Sequence, residues 1–180
     1  MGGQLTDTSS KEEIIQRVKA RAYVCDECTG CSQRALQAVQ KELGIGSAET
    51  FRAATVLAGG LLHGESCGAL IGALMGLGLA LGNDKKVDDE AVKKVRDIAL
   101  EVIERFKQEL QRQFGFKQEL KSTLCKDIQE RVLGKYFGDD HEGFLKAGGK
   151  SENGCPKVSS IAAQVVAEKI LKVGETQKVS

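Results

Sequence analysis

Between Cys67 and Gly82 the chain reads Cys-Gly-Ala-Leu-Ile-Gly-Ala-Leu-Met-Gly-Leu-Gly-Leu-Ala-Leu-Gly, without one charged side chain. Leu70, Leu74, Leu77 and Leu81 recur at helical spacing, and Gly68, Gly72, Gly76 and Ala80 form a second stripe. A glycine inside a helix costs roughly 1 kcal/mol relative to alanine. Several of them in one helix therefore need a packing reason, and close approach of a neighbouring backbone is the one a glycine stripe permits. The run is shorter than the roughly 20 residues that cross a bilayer, and it lacks aromatic and basic flanks. It predicts a fully buried central helix with Cys67 at its N-terminal end, and no membrane span.

Helical periodicity extends to the rest of the chain. Ile14, Ile15, Val18 and Ala22 share one face behind a cap at Ser9 or Ser10. Ala35, Leu36, Val39 and Leu43 share another, stopped by Gly44. Ser47 predicts the start of a third helix over residues 48–57, interrupted at Gly59 and Gly60. After a surface turn at residues 82–86, Ala91, Val95, Ile98, Val102, Phe106, Leu110 and Phe114 mark a long amphipathic helix over residues 88–114. Ile128, Val132 and Leu133 follow a start near Ser122 to Cys125. Residues 134–154 lack periodicity and predict an exposed loop or lid. Cys155 and Pro156 open the last helix, proline costing nothing in a first turn. No period-two pattern stands out. The fold class expected is all-α: one helical bundle around the Gly/Ala-rich helix. Residues 1–24 form an extension and first helix, 25–173 the cysteine-rich domain and 174–180 a polar tail.

With 26 basic and 25 acidic residues, the chain has no charge excess to attract nucleic acid or an anionic membrane. Residues 1–24 carry no apolar secretory core, so a cytoplasmic location is expected. In a reducing compartment, six cysteines point to metal ligation or redox chemistry sooner than to structural disulfides.

Cys31, Cys67, Cys125 and Cys155 each fall at a predicted helix start. A helix N-terminus presents unpaired N–H groups and about half a positive charge, which lowers a thiol's pKa and favours an anionic metal–thiolate centre. Cys25 and Cys28 extend Cys31 into a Cys-x-x-Cys-x-x-Cys run, a spacing suited to an iron–sulfur cluster or zinc. It is an incomplete version of the bacterial ferredoxin run. His63 and Glu65 flank Cys67 and are candidates for tuning it, with His141 a weaker one.

Cys31 opening a helix, the Cys-Gly-Ala-x-x-Gly motif at Cys67 to Gly72, and then Cys125 and Cys155 resemble the C_GCAxxG_C_C family of redox-active proteins over residues 31–172. The family's relationship to the cluster-bearing part of split-Soret cytochromes implies an iron–sulfur centre on the matching cysteines. Cys25 and Cys28 depart from the simplest family pattern. They would extend the cluster site or form a separate dithiol beside it.

The leading expectation is an iron–sulfur protein for electron transfer or redox sensing, working with a redox partner protein. Cys31, Cys67, Cys125 and Cys155 are its expected cofactor ligands, and Cys25 and Cys28 are further metal-ligand candidates. One rival is a metal-free thiol–disulfide oxidoreductase with Cys25 and Cys28 as the exchanging pair. The other is a structural or binding module stapled by zinc. Whether the chain is an enzyme stays open, and the glycine stripe would equally serve a homo-oligomer interface.

Overall fold

The computed structural model describes residues 10–83 and 89–176. Among them are eight α-helices and no strand, as the periodicities predict. The Ser9 cap, most of the turn over residues 82–86, position 88 and the end of the polar tail lie outside the described residues.

Helix α1 (Lys11–Tyr23) opens on a reciprocal cap. Ser10 Oγ accepts from the Glu13 N–H at 3.2 Å, and a Glu13 carboxylate oxygen accepts from the Ser10 N–H at 2.8 Å. Helix α2 (Cys31–Leu43) ends at Gly44, whose φ of 65° gives the chain its left-handed exit. Glu42, near the end of α2, accepts from Arg17 at 2.8 Å and Arg21 at 2.5 Å, which joins α1 to α2.

The expected third helix is broken up. Helix α3 (Ala48–Ala53) is only six residues long, a tight 3₁₀ turn covers Thr55–Leu57, and a wide turn covers Gly60–Gly64. The wide turn is closed by Glu65 N–H donating to Gly60 C=O at 3.0 Å. Gly60 has φ 65°, and a Cβ there would come within 2.4 Å of Glu65 O and 2.7 Å of the Cys125 Cβ. Leu61 and Leu62 hold φ values of 55° and 66°, conformations that cost about 1–3 kcal/mol each outside glycine. Both side chains project to solvent.

Helix α4 (Gly68–Leu81) follows, and its glycine stripe has the reason the sequence asked for. A Cβ on Gly72 would lie 2.0 Å from Ser32 O, so α2 and α4 meet backbone to backbone at that point. The helix is buried on the face carrying Gly68, Ala69, Leu70, Gly72, Ala73, Gly76 and Leu77, while Gly78 and Leu79 face solvent. The expectation of full burial is therefore corrected to burial of one face.

The centre is shared by α2, α4 and α8 (Cys155–Thr176), which pack against one another, with α1 and α5 (Asp89–Phe114) laid on α8. Val158, Ile161, Ala162, Val165 and Val166 of α8 are all at most 2 % exposed. Phe106 of α5 is sealed in the same apolar cluster, a burial worth roughly 2–3 kcal/mol. Helix α6 (Cys125–Leu133) and short helix α7 (His141–Lys146) complete the chain, so the expected loop over residues 134–154 contains a helical turn capped by Asp140.

Candidate functional site

Four cysteines stand where helices begin. Cys31, Cys125 and Cys155 are the first residues of α2, α6 and α8, and Cys67 is the residue that caps α4. Their positions are set by backbone. Gly68 has no side chain, and a Cβ there would meet Cys31 Sγ at 2.8 Å and Leu57 O at 2.5 Å, so the Cys31 sulfur lies against the start of α4. Cys67 and Cys125 are joined through their flanks by a single antiparallel pairing of Ser66 with Leu124. In it the Cys67 N–H donates to Thr123 O at 2.8 Å, and the Cys125 N–H donates to Glu65 O at 2.6 Å.

All four thiols are free, and each pair among them is close enough for a charge on one to act on the other. Backbone N–H groups of Gly59, Cys31, Ser32 and Ala69 point at the Cys31 sulfur, and that of Leu70 points at Cys67. Gln129, one helical turn beyond Cys125, donates its amide to Cys125 Sγ at 3.4 Å. Cys31 and Ser32 at the start of α2, and Ala69 and Leu70 at the start of α4, are helix-start donors of the expected kind, whereas Gly59 lies in the turn ahead of α4 and Gln129 donates from its side chain. Their effect on acidity is outweighed. Burial pushes the Cys31 thiol up despite its four backbone donors. Burial, and then the neighbouring cysteines, push Cys67 well above an ordinary thiol, Cys125 up to about 11, and Cys155 higher still. The expectation of low-pKa thiolates is corrected: without a metal these four are neutral thiols.

A cavity of about 340 Å³ opens onto three of them, Cys31, Cys125 and Cys155, while Cys67 lies buried behind. Its other walls include Arg34, Gln129 and Ser159 from the helices, and Phe137, His141 and Phe144 from the segment over residues 134–154. That segment covers the site. The Phe137 N–H donates to Gln129 Oε1 at 3.3 Å, the Cys155 N–H donates to Gly149 O at 2.9 Å, and the Tyr23 hydroxyl donates to Glu152 O. His141, the weaker histidine in sequence, lines the cavity beside Phe144, whereas His63 sits exposed in the wide turn. Glu65 contributes its backbone C=O to Cys125 and leaves its side chain in solvent.

Arg34 and Gln129 were not among the sequence candidates. Arg34 Nη1 donates to Tyr23 O at 2.9 Å, and its charge acts on Cys31 and Cys155. The signal that could have found both is helical spacing: Arg34 is three residues beyond Cys31, and Gln129 four beyond Cys125.

Cys25 and Cys28 are joined to each other in a disulfide. Bonded in this way they have no thiolate to offer a metal, and only the reduced pair could serve as the further metal ligands expected from the sequence. They form a separate pair, with Cys28 on the wall of the same cavity. The remaining donor set is four thiols, soft ligands of the kind iron–sulfur clusters and zinc take. Among the described residues, no three His, Cys, Asp or Glu side chains stand close enough to hold one metal ion between them.

Comparison with curated proteins and with solved structures returned no match. Among the described residues, no helix is long and apolar enough to cross a membrane. A family model described as "Putative redox-active protein (C_GCAxxG_C_C)" matches residues 14–169, a span that takes in the four helix-start cysteines, the glycine stripe and the disulfide. The chain belongs to the C_GCAxxG_C_C family of redox-active proteins.

Proposed function

We propose that the protein binds an iron–sulfur cluster on Cys31, Cys67, Cys125 and Cys155 and works in electron transfer or redox sensing. The observation that carries this reading is the convergence of four free thiols from four helix starts, with every pair within electrostatic reach. Among the described residues, no three of these thiols stand close enough to hold a single ion between them. A cluster spreads its ligand sulfurs more widely than a single ion does. A lone zinc would require the thiols to close in, which favours the cluster over the zinc-stapled reading.

When bound, such a cluster supplies reversible one-electron chemistry. The chain's own groups prepare its surroundings. The N–H groups at the starts of α2 and α4, the Gln129 amide and the Arg34 cation face the sulfurs and favour added negative charge, which raises a reduction potential. The buried face of α4 keeps water from Cys67. The half-buried Cys31 and Cys155 on the cavity side leave the shortest approach for a redox partner protein. Because the thiols are protonated without metal, loading the site must expel their protons.

Single Cys→Ser variants at the six positions test the ligand set. Replacing Cys31, Cys67, Cys125 or Cys155 should abolish or sharply reduce bound iron, and replacing Cys25 or Cys28 should leave it. Iron that depends on Cys25 or Cys28, and not on Cys67, would reject this assignment.

A further inference from the structure

We infer that the Cys25–Cys28 disulfide is a second, exchanging redox pair, opened by a dithiol that enters the cavity and attacks Cys28, with Cys25 leaving as a thiol received by Gln37. The inference does not rest on the cluster reading, since none of its steps uses the four helix-start thiols.

The two sulfurs are not equivalent. Cys25 is 6 % exposed, whereas Cys28 is half-buried and forms part of the cavity wall. Thiol–disulfide exchange depends on which sulfur can be reached and on which thiol leaves more readily. Access selects Cys28. The reduced product is prepared as well: Gln37 Oε1 lies 2.9 Å from Cys25 Sγ and 3.7 Å from Cys28 Sγ, placed to accept from a thiol and so to act on the equilibrium. The amide cannot be turned around, because its Nε2 donates to a Glu27 carboxylate oxygen at 3.0 Å, and a carboxylate only accepts. A disulfide sulfur has no hydrogen to give this oxygen. A Cys25 thiol has one, so Gln37 favours the reduced pair.

The surroundings let the bond open without loss of the fold. Gln33 Oε1 accepts from the Thr29 N–H at 3.0 Å and the Thr29 hydroxyl at 2.7 Å, while its Nε2 donates to Thr55 Oγ1 at 3.0 Å. The loop after Cys28 is thereby pinned to α2 with or without the disulfide. Arg34 and Lys150 on the same cavity wall favour the thiolate form of an incoming dithiol.

The step balances. One thiolate of the dithiol bonds to Cys28 Sγ as the Cys25–Cys28 bond breaks, and Cys25 leaves with the electron pair and takes up a proton. The second thiolate of the dithiol then attacks its partner sulfur in the mixed disulfide. Cys28 is released and protonated in turn. The dithiol loses two electrons and two protons, and the Cys25–Cys28 pair gains them.

The test uses the oxidised full-length chain, with and without prior chelator treatment. It is reduced with dithiothreitol, pulsed with iodoacetamide, and its peptides are mapped by mass spectrometry. Cys28 should be alkylated at least about tenfold faster than Cys25, as access dictates, whether or not iron is present. In the Cys25→Ser variant, cystamine should form a mixed disulfide on Cys28; in Cys28→Ser, none should form on Cys25. Gln37→Leu should shift the dithiothreitol equilibrium toward the disulfide by roughly fivefold, the worth of one net hydrogen bond. Equal labelling of the two cysteines, Cys25 reacting first, or a disulfide that dithiothreitol leaves intact in the folded protein would overturn the inference. An unmoved equilibrium in Gln37→Leu would overturn the part assigned to Gln37. Absence of iron alters none of these readouts, so failure of the cluster reading is told apart from failure here.

Discussion

Cys67 and Cys125, 58 positions apart (125 − 67), are held side by side by the backbone around them. Each donates its own N–H across the Ser66–Leu124 pairing, Cys67 to Thr123 O and Cys125 to Glu65 O, at 2.8 and 2.6 Å. In a helical protein this isolated pairing supplies what a sheet would elsewhere, a fixed register between two distant segments. It brings the starts of α4 and α6 to one point.

The same demand for closeness governs α4 and α2. Gly72→Ala would place a methyl 2.0 Å from Ser32 O, so the two helices must part. A loss of about 1–3 kcal/mol or more is expected from this overpacking. Gly78 faces open space on the same helix, and Gly78→Ala should gain up to about 1 kcal/mol from helix propensity. Urea unfolding of the two variants checks the opposite signs. Equal effects would mean that the glycine stripe is not a contact surface.

The metal-free protein should lose stability in alkali. Burial holds the Cys125 thiol up at about 11, above the ordinary value of 9.0, so the folded chain keeps a proton that the unfolded chain releases. The sign follows from linkage: between those two values the unfolded state binds fewer protons, and the free energy of unfolding falls as pH rises. The stability is fully present below the ordinary thiol value and is lost toward the folded one. Denaturation midpoints of chelator-treated protein across that range, with Cys125→Ala as the control with a flatter profile, test this.

At the other end of the scale stands Glu109 on α5, with a side chain only 1 % exposed and salt bridges to Arg112 at 2.7 Å and Arg105 at 2.8 Å. The hydrogen bond from Arg112 leads the effects that hold its carboxyl below the usual range, opposed by burial. A depressed carboxylate stabilises above its unfolded pKa and ceases to do so as pH falls through its folded one. Glu109→Gln keeps the shape and removes the charge. It should destabilise the protein at neutral pH by about 1–2 kcal/mol and reduce the loss of stability in acid, both read from unfolding at two pH values.

Arg34 ties two functions together. Its guanidinium satisfies the Ala22 and Tyr23 carbonyls at the end of α1 and places a positive charge by Cys31 and Cys155. Arg34→Met should cost about 1–2 kcal/mol for the lost charged hydrogen bonds. On the proposed function it should also make the reduction potential of the loaded site more negative, because a cation stabilises the reduced, more negative centre. Anaerobic redox titration reads the sign.

Helices and their starts were legible because each is written locally. Ser10 with Glu13, Gly44 after Leu43, and Pro156 after Cys155 are signals within four residues of the boundary they mark. The positions of Cys31, Cys67, Cys125 and Cys155 followed from those boundaries. What was not legible depends on distant neighbours. The wide turn at Leu61 and Leu62 adopts strained dihedrals that no local preference favours. Helix α7 is too short for a periodicity to show, and only Asp140 announces it. The thiol acidity was misjudged for a related reason: a helix start can be read from the sequence, whereas the burial that overrides it comes from α2, α4 and α8 closing over the site. Nor could spacing alone decide that Cys25 would pair with Cys28 and leave Cys31 to the other three.

The central claim is that the four helix-start cysteines hold a cluster, and the most direct measurement is iron and acid-labile sulfide analysis of the full-length protein purified without oxygen, with its visible spectrum. The account predicts a brown protein containing both iron and sulfide, with both lost in Cys67→Ala. A colourless protein that takes up neither after anaerobic incubation with ferrous iron and sulfide would contradict it.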